Sequence, residues 1–382
     1  MIKCMQIGID IRCLQSREKT GVGEYAEGLL TALFAQDKSN DYWLFSNGRK
    51  NTDRVVQRWA QSNVHYAHTT FPNKLLNFLL AIGLTKIDRR LARAGVPSLD
   101  IFLSLNLNFL RLGSKVKHIL VIHDLSFIFF PQCFTRRQRW WHYFIRAYRQ
   151  CQKAKKIIAP SFNTKNDLQQ AFGLAGEKIE VVRPGLCPLI LAGTTEADKA
   201  RVKEKYGLVG KMILFLGTLE PRKNLVSLLL AFSHSSLAKT GLTLVIAGAG
   251  GWKNEREKEL LSKISGTRLL GYVADTDKAA LYAQAEFFVY PSLYEGFGFP
   301  PLEAMAMGTP VIVSARSSLT EVVGQAGYYV NPRQVEEIAA ALKTMAADSI
   351  LRESLARAGQ ERARSFSWDV AAQQVINLIS SV

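Results

Sequence analysis

Residues 289–314 read Val-Tyr-Pro-Ser-Leu-Tyr-Glu-Gly-Phe-Gly-Phe-Pro-Pro-Leu-Glu-Ala-Met-Ala-Met-Gly-Thr-Pro-Val-Ile-Val-Ser. The apolar run Phe287, Phe288, Val289, Tyr290 predicts a buried strand that stops at Pro291. A loop with Glu295, Gly296 and Gly298 follows. Pro300 and Pro301 lack the backbone donor and preset φ, so they belong at the start of the next helix. Gly308 is a natural stop, and Val311-Ile312-Val313 is the following strand.

The glycine-preceded start of such a helix leaves N–H groups unpaired and favours an anion. Glu303 is expected in its first turn and Glu295 in the loop before it, so both carboxylates can reach one cleft. A phosphate on backbone amides beside carboxylates that accept sugar hydroxyls suits a nucleotide-sugar. Two carboxylates flanking a glycosidic bond would instead suit a glycosidase. Two solvated glutamates on an ordinary strand–helix–strand unit satisfy the same spacing.

The run from Glu295 to Glu303, with its flanking Tyr-Pro-Ser and Ala-Met-Gly-Thr-Pro-Val-Ile, resembles the E-x7-E motif of retaining glycosyltransferases of family 4, which have the GT-B fold. The resemblance implies that Glu295 lies near the transferred sugar and that Glu303 holds the ribose hydroxyls of the donor. It also implies support of the donor by residues 296–299 (Gly296, Phe297, Gly298, Phe299) and by Leu302.

At 382 residues the chain is long enough for two domains with sizeable cores. No window approaches about 18 uninterrupted apolar residues, so no membrane-crossing helix is expected. Residues 1–6 run into a strand without a signal-peptide pattern. Five scattered cysteines without metal spacing favour a reducing, cytoplasmic setting. Charge is lopsided: residues 1–184 carry 28 Lys+Arg against 13 Asp+Glu, and the remainder 21 against 19. Basic excess confined to one half predicts that this half meets something anionic, such as a phosphate-rich acceptor, an acidic leaflet or nucleic acid.

From the N-terminus, residues 6–11 predict a strand, and Gly21-Val22-Gly23 a turn before a helix that can bring phosphate close to the backbone. In the family this glycine loop faces the donor phosphates. Residues 73–93 mix Leu75, Phe78 and Ile82 with Lys74, Lys86, Arg89, Arg90 and Arg93, which suits either an ordinary helix or an amphipathic one at a lipid interface. Residues 118–122 predict a strand that ends at His123 and Asp124, where open α/β sheets bind ligands. His123-Asp-Leu-Ser-Phe resembles the His-Asp segment of mannosyltransferase-like family members, which implies a His contact to the donor sugar. Arg136, Arg137, Arg139, Trp140 and Trp141 begin a helix that suits base stacking, a headgroup layer or a core helix with an arginine-rich outer face. No nucleic-acid motif accompanies it, so nucleic acid is not an expected partner.

Residues 212–224 run from a strand through Gly217 and Thr218 and deliver the cations Arg222 and Lys223 to a helix start, which suits either a diphosphate clamp or an ordinary surface Arg-Lys pair. The resemblance implies that Lys223 neutralises the leaving diphosphate. It implies an arginine where Thr218 stands, a role that Arg222 takes over. It also implies that the backbone of Gly271, Tyr272 and Val273 reads the nucleobase.

The expected architecture is α/β, two Rossmann-like doubly wound domains of the GT-B type facing across a cleft. Residues 1–185 form the acceptor side, and the resemblance implies that 366–382 packs back on it. Residues 186–365 hold the donor, and 186–208 act as linker and short helix. The expected activity is retaining transfer of a hexose, mannose from GDP-mannose or a sugar from a UDP-hexose, to a glycan or lipid-linked acceptor. The expectation includes no metal or other cofactor and a peripheral place on the inner face of the cytoplasmic membrane. A same-fold epimerase or hydrolase, or a non-catalytic nucleotide-sugar binder, would share these motifs.

Overall fold

The computed structural model describes residues 4–15, 20–48 and 58–382. The signal-peptide reading of residues 1–3 therefore lies outside the described residues. Two units are resolved by their internal contacts. One holds Met1–Leu125, Arg137–Gly185 and Ser367–Val382, the other Ser126–Arg136 and Leu186–Phe366.

In the first unit, the described residues form strands β1 (Gln6–Asp10), β2 (Asp41–Asn47), β3 (Val64–Thr69), β4 (Ile101–Ser104), β5 (Lys117–Val121), β6 (Lys156–Ala159) and β7 (Ile179–Val181). All are parallel, in the order β3-β2-β1-β4-β5-β6-β7. Parallel strands covered on both faces read as continuous apolar runs, as β4 and β5 do. The terminal helix Trp368–Ser381 packs on the helix Gly21–Gln36, with the Trp368 indole edge-on to Tyr25 at 5.4 Å.

Residues 73–93, read as one helical stretch, form two helices, Asn73–Ile82 and Ile87–Arg93. The first ends at Gly83 in the left-handed conformation, which stops the ladder. Likewise Arg136–Ile145 and Ala147–Lys153 are separated by Arg146, also left-handed. Arg136–Ile145 is not a core helix, since Ile145 is its one buried residue.

In the second unit the described strands are β8 (Lys211–Leu216), β9 (Leu242–Ala247), β10 (Thr267–Gly271), β11 (Phe287–Tyr290), β12 (Val311–Ser314) and β13 (Gly327–Val330). They are parallel, in the order β10-β9-β8-β11-β12-β13. This is the doubly wound 3-2-1-4-5-6 pattern.

Two boundaries differ from the sequence reading. Residues 126–136, assigned there to the first domain, belong to the second unit. Phe130 packs on Tyr294 at 5.5 Å, Phe134 stacks on Trp252, and Trp252 Nε1 donates to the Cys133 carbonyl at 2.7 Å. Residues 186–208 are more than a linker. The helix Glu196–Lys205 begins with a Thr195 capping box, and Arg201, Lys205 and Tyr206 all bind the fully buried carboxylate of Asp277. That anchoring fixes the segment to the second unit.

Candidate active site

An open parallel sheet binds ligands beyond the carboxyl ends of its strands, where the strand order reverses. In the second unit this point lies between β8 and β11. The loops that leave those strands carry Arg222 and Lys223 on one side and Glu295 on the other. Leu293 N donates to the Arg222 carbonyl at 2.9 Å, and Asn224 Nδ2 to the Pro291 carbonyl at 3.0 Å. These bonds sew the two loops together.

The side chains then converge. Lys223 Nζ donates to Glu295 Oε1 at 2.7 Å and to the Tyr290 hydroxyl at 2.6 Å. Arg222 Nη1 donates to Glu295 Oε2 at 2.9 Å and to the Tyr294 carbonyl at 2.7 Å, and its Nη2 reaches Glu220 at 2.6 Å. Ser292 Oγ adds a third donor to Glu295, at 2.6 Å. Burial alone would push the Glu295 carboxyl up. Arg222 and Lys223, with the Ser292 bond, overcome that and hold it at about 2. The sequence reading has Arg222 and Lys223 presented as a clamp. Here both are paired with Glu295, and with Glu220 the cluster is two cations against two carboxylates.

The loop ahead of the next helix is fixed just as closely. Ser318 Oγ donates to the carbonyls of Glu295 and Phe297, and Glu295 N donates to Ser317 Oγ. The helix Phe299–Ala306 starts after Gly298, whose φ of 116° a side chain would strain. Pro300 and Pro301 occupy its first turn, as the spacing predicts. Glu303, expected in that turn, is the fifth helical residue and falls in the second. It is buried, and its Oε2 accepts from the Tyr282 hydroxyl at 2.8 Å. Gly296, Phe297 and Leu302 are buried, with Phe297 against Phe299 and Phe366.

The remaining expected donor residues lie around this centre. Gly217 N donates to the Ala247 carbonyl, and Thr218 is exposed on the same loop as Arg222. Gly271 ends β10, two strands from β8; Tyr272 after it is exposed and Val273 buried. Sequence reasoning missed Glu220, Tyr290, Ser292, Ser317 and Ser318. Glu220 and Ser292 were signalled only by their place inside the motifs around Lys223 and Glu295.

In the first unit the strand order reverses between β1 and β4. A cavity of about 100 Å³ opens there, lined by Asp10 and Arg12 after β1, Asn106 and Asn108 after β4, and Trp141. Asp10 and Arg12 form a buried bidentate pair, 2.9 and 2.6 Å, so neither adds net charge. Amides, a neutral ion pair and an indole make a wall suited to an uncharged hydroxyl-rich ligand.

His123 follows β5, and its Nε2 lies 2.8 Å from the Leu105 carbonyl. A carbonyl only accepts, so Nε2 carries the proton. Burial lowers the His123 pKa, partly countered by that bond and by Asp124, so the ring is neutral at pH 7. Gly21 and Gly23 are not a loop ahead of the helix. They lie within its first turn, where Thr20 Oγ1 accepts from Gly23 N. Arg136, Arg137, Arg139 and Trp140 are exposed on the helix whose Trp141 lines the cavity.

The family described as Glycosyltransferase Family 4 matches residues 20–188, and that described as Glycosyl transferases group 1 matches residues 197–362. The O-antigen chain mannosyltransferase B of Escherichia coli is 30% identical over 371 residues, covering 94% of this chain and 95% of that protein. Among solved structures, a sucrose-phosphate synthase from Thermosynechococcus elongatus has a TM-score of 0.77 at 20% identity, covering 99% of this chain and 98% of that one. Anabaena HepE in complex with UDP and glucose has a TM-score of 0.74 at 20% identity, covering 99% and 100%. These structural likenesses show the fold. With the full-length match to the E. coli enzyme, they establish that the chain belongs to the family 4 glycosyltransferases of the two-domain, Rossmann-like GT-B fold.

Proposed function

We propose that the protein transfers a hexose, with retention of configuration, from a nucleotide-diphosphate sugar to a hydroxyl of a glycan or lipid-linked acceptor in cell-surface polysaccharide synthesis. The observation that carries this reading is the buried Arg222–Glu295–Lys223 cluster at the strand-order reversal of the second unit, beside the Phe299–Ala306 helix start. In this reading Lys223 and Arg222 stabilise the charge that develops on the departing diphosphate, the main source of rate. Glu295, fully ionised, orients the cations and accepts from the sugar. Glu303 holds the ribose, and the Gly271–Val273 backbone meets the base.

The acceptor sugar occupies the uncharged cavity between Asn106, Asn108 and Trp141 of the first unit. His123 offers neutral polarity to the donor sugar. Mannose from GDP-mannose is favoured as donor by the E. coli relative's name, and a UDP-hexose by the ligands of HepE. The reaction needs no metal, because the two cations serve the diphosphate. The enzyme works peripherally on the cytoplasmic face of a membrane.

The test begins with thermal shifts in GDP-mannose, UDP-glucose and UDP-N-acetylglucosamine, since a ligand of the native state raises the melting temperature by mass action. Transfer from the stabilising donor is then measured in wild type, Lys223→Ala and Glu303→Ala, with the product anomer read by NMR. Both substitutions are expected to abolish transfer. Unchanged rates in both would sink the site, and an inverted product would sink retention. Donor turnover that ignores acceptor would mark a hydrolase or epimerase instead.

A further inference from the structure

Tyr282 ties two elements of the second unit to one another. It stands near the end of the helix Asp275–Gln284, which begins two residues after Val273, the last residue of the segment assigned to the base. Its hydroxyl donates to Glu303 Oε2 at 2.8 Å, on the helix Phe299–Ala306. Its backbone is joined to the same helix. The Tyr282 carbonyl accepts from Thr309 Oγ1 at 2.7 Å, and Thr309 N donates to the Ala304 carbonyl at 2.9 Å.

The tyrosine cannot follow a carboxylate that moves. Its ring is fully buried and stands edge-on to the equally buried Phe288 at 5.5 Å. Asp277, near the other end of its helix, is held by Arg201, Lys205 and Tyr206. The hydroxyl is therefore a fixed donor. A glutamate has three side-chain torsions and the last is broad, so the plane of its carboxylate is set by what its oxygens bind. That plane matters for a ribose, which presents two adjacent hydroxyls. Two carboxylate oxygens have lone pairs for both hydroxyls and for the tyrosine, provided that the plane faces the sugar.

We propose that Tyr282 is a positioning residue that turns the Glu303 carboxylate to accept both ribose hydroxyls, and thereby makes the site selective for ribonucleotides over 2′-deoxynucleotides. The proposal deepens, and rests on, the reading that Glu303 holds the ribose. The helix that leaves the base segment then also sets the angle at which the ribose is met.

The test is calorimetric titration of GDP and UDP, each against its 2′-deoxy form. Wild type is expected to bind the ribonucleotide about tenfold tighter. Tyr282→Phe keeps the ring and its packing. It is expected to weaken ribonucleotide binding about tenfold and deoxynucleotide binding less than about twofold, so that the preference nearly vanishes. In transfer the donor KM should rise by a similar factor while kcat stays within about threefold.

Equal weakening of both nucleotides, or an unchanged preference, overturns the proposal. Should Tyr282→Phe fail to fold, 3-fluorotyrosine placed at position 282 of the otherwise native chain reads the same bond. Its fluorine resonance is expected to move with the ribonucleotide and not with the deoxynucleotide; equal movement, or none, overturns the proposal. Glu303→Ala separates the two readings. If it keeps the preference, if wild type has none, or if neither nucleotide binds, the ribose assignment fails and the proposal with it. A preference lost in Glu303→Ala but kept in Tyr282→Phe defeats the positioning role alone.

Discussion

Glu295→Gln removes the carboxylate that pairs with both Arg222 and Lys223 while keeping the side chain's shape. A carboxyl held at about 2 in the folded state, against an ordinary 4.5, contributes about 3 kcal/mol at neutral pH, at roughly 1.4 kcal/mol per pH unit. The folded value is depressed, so this stability is complete above the unfolded value and is lost as pH falls towards 2. Of it, about 1 kcal/mol should be gone by pH 4 and about 2 kcal/mol by pH 3. The glutamine also takes the carboxylate partner from the buried Lys223 while Arg222 keeps Glu220, for a total loss of about 3–5 kcal/mol at pH 7. Urea unfolding of wild type and variant from pH 7 to pH 3, following the transition of the second unit, measures the gap. It should narrow by the amounts above. A gap that stays constant over that range would refute the claim that Glu295 is ionised by its two cations, whatever its absolute size.

Gly28→Ala would place a Cβ 2.2 Å from the Trp368 indole, a buried ring that also packs on Tyr25. Overpacking should cost about 1–3 kcal/mol, offset by about 1 kcal/mol of helix propensity, so a clear fall in melting temperature is expected and a rise would refute the packing argument. NMR of the imidazole should show His123 neutral at pH 7 with its proton on Nε2; a neutral ring protonated on Nδ1 would contradict its bond to the Leu105 carbonyl. EDTA should leave transfer within about twofold, since Lys223 and Arg222 are the charges assigned to the leaving diphosphate. A metal-restorable loss would remove that assignment.

The doubly wound pattern was legible because strand runs such as 287–290 and 311–313 are continuous and apolar, and because Pro300 and Pro301 can occupy few places other than a helix start. Lys223, Arg222 and Glu295 were legible as a set through motif resemblance. Their mutual pairing was not: a sequence shows that cations and carboxylates occur, but only the fold shows that Leu293 and Asn224 sew two loops together and bring Lys223 within 2.7 Å of Glu295. The helix breaks at Gly83 and Arg146 escaped for different reasons. A lone glycine is tolerated inside helical patterns, and nothing in arginine's chemistry announces a left-handed backbone. The placement of 126–136 depends on Trp252 and Tyr294, more than a hundred residues away in sequence. Local pattern carries no information about such contacts.

The pairing of Arg222 and Lys223 also bears on how a diphosphate would be held. With Glu220 and Glu295 the cluster has no net charge, so an incoming diphosphate competes with carboxylates for the same N–H groups. Glu295 binds both cations, and its removal takes the carboxylate partner from Lys223. The Glu220 carboxylate accepts from Arg222 Nη2 at 2.6 Å. Glu220→Gln therefore leaves the core pair intact and raises the cluster's charge by one. At an effective dielectric near 20 and a separation of about 8–10 Å, one charge less of repulsion is worth roughly 2 kcal/mol before screening, so GDP or UDP should bind several-fold to about thirtyfold tighter. Calorimetric titration of the nucleoside diphosphate that stabilises the wild type reads this directly. Weaker binding by the variant would mean that Glu220 positions Arg222 for the diphosphate more than it opposes the ligand's charge.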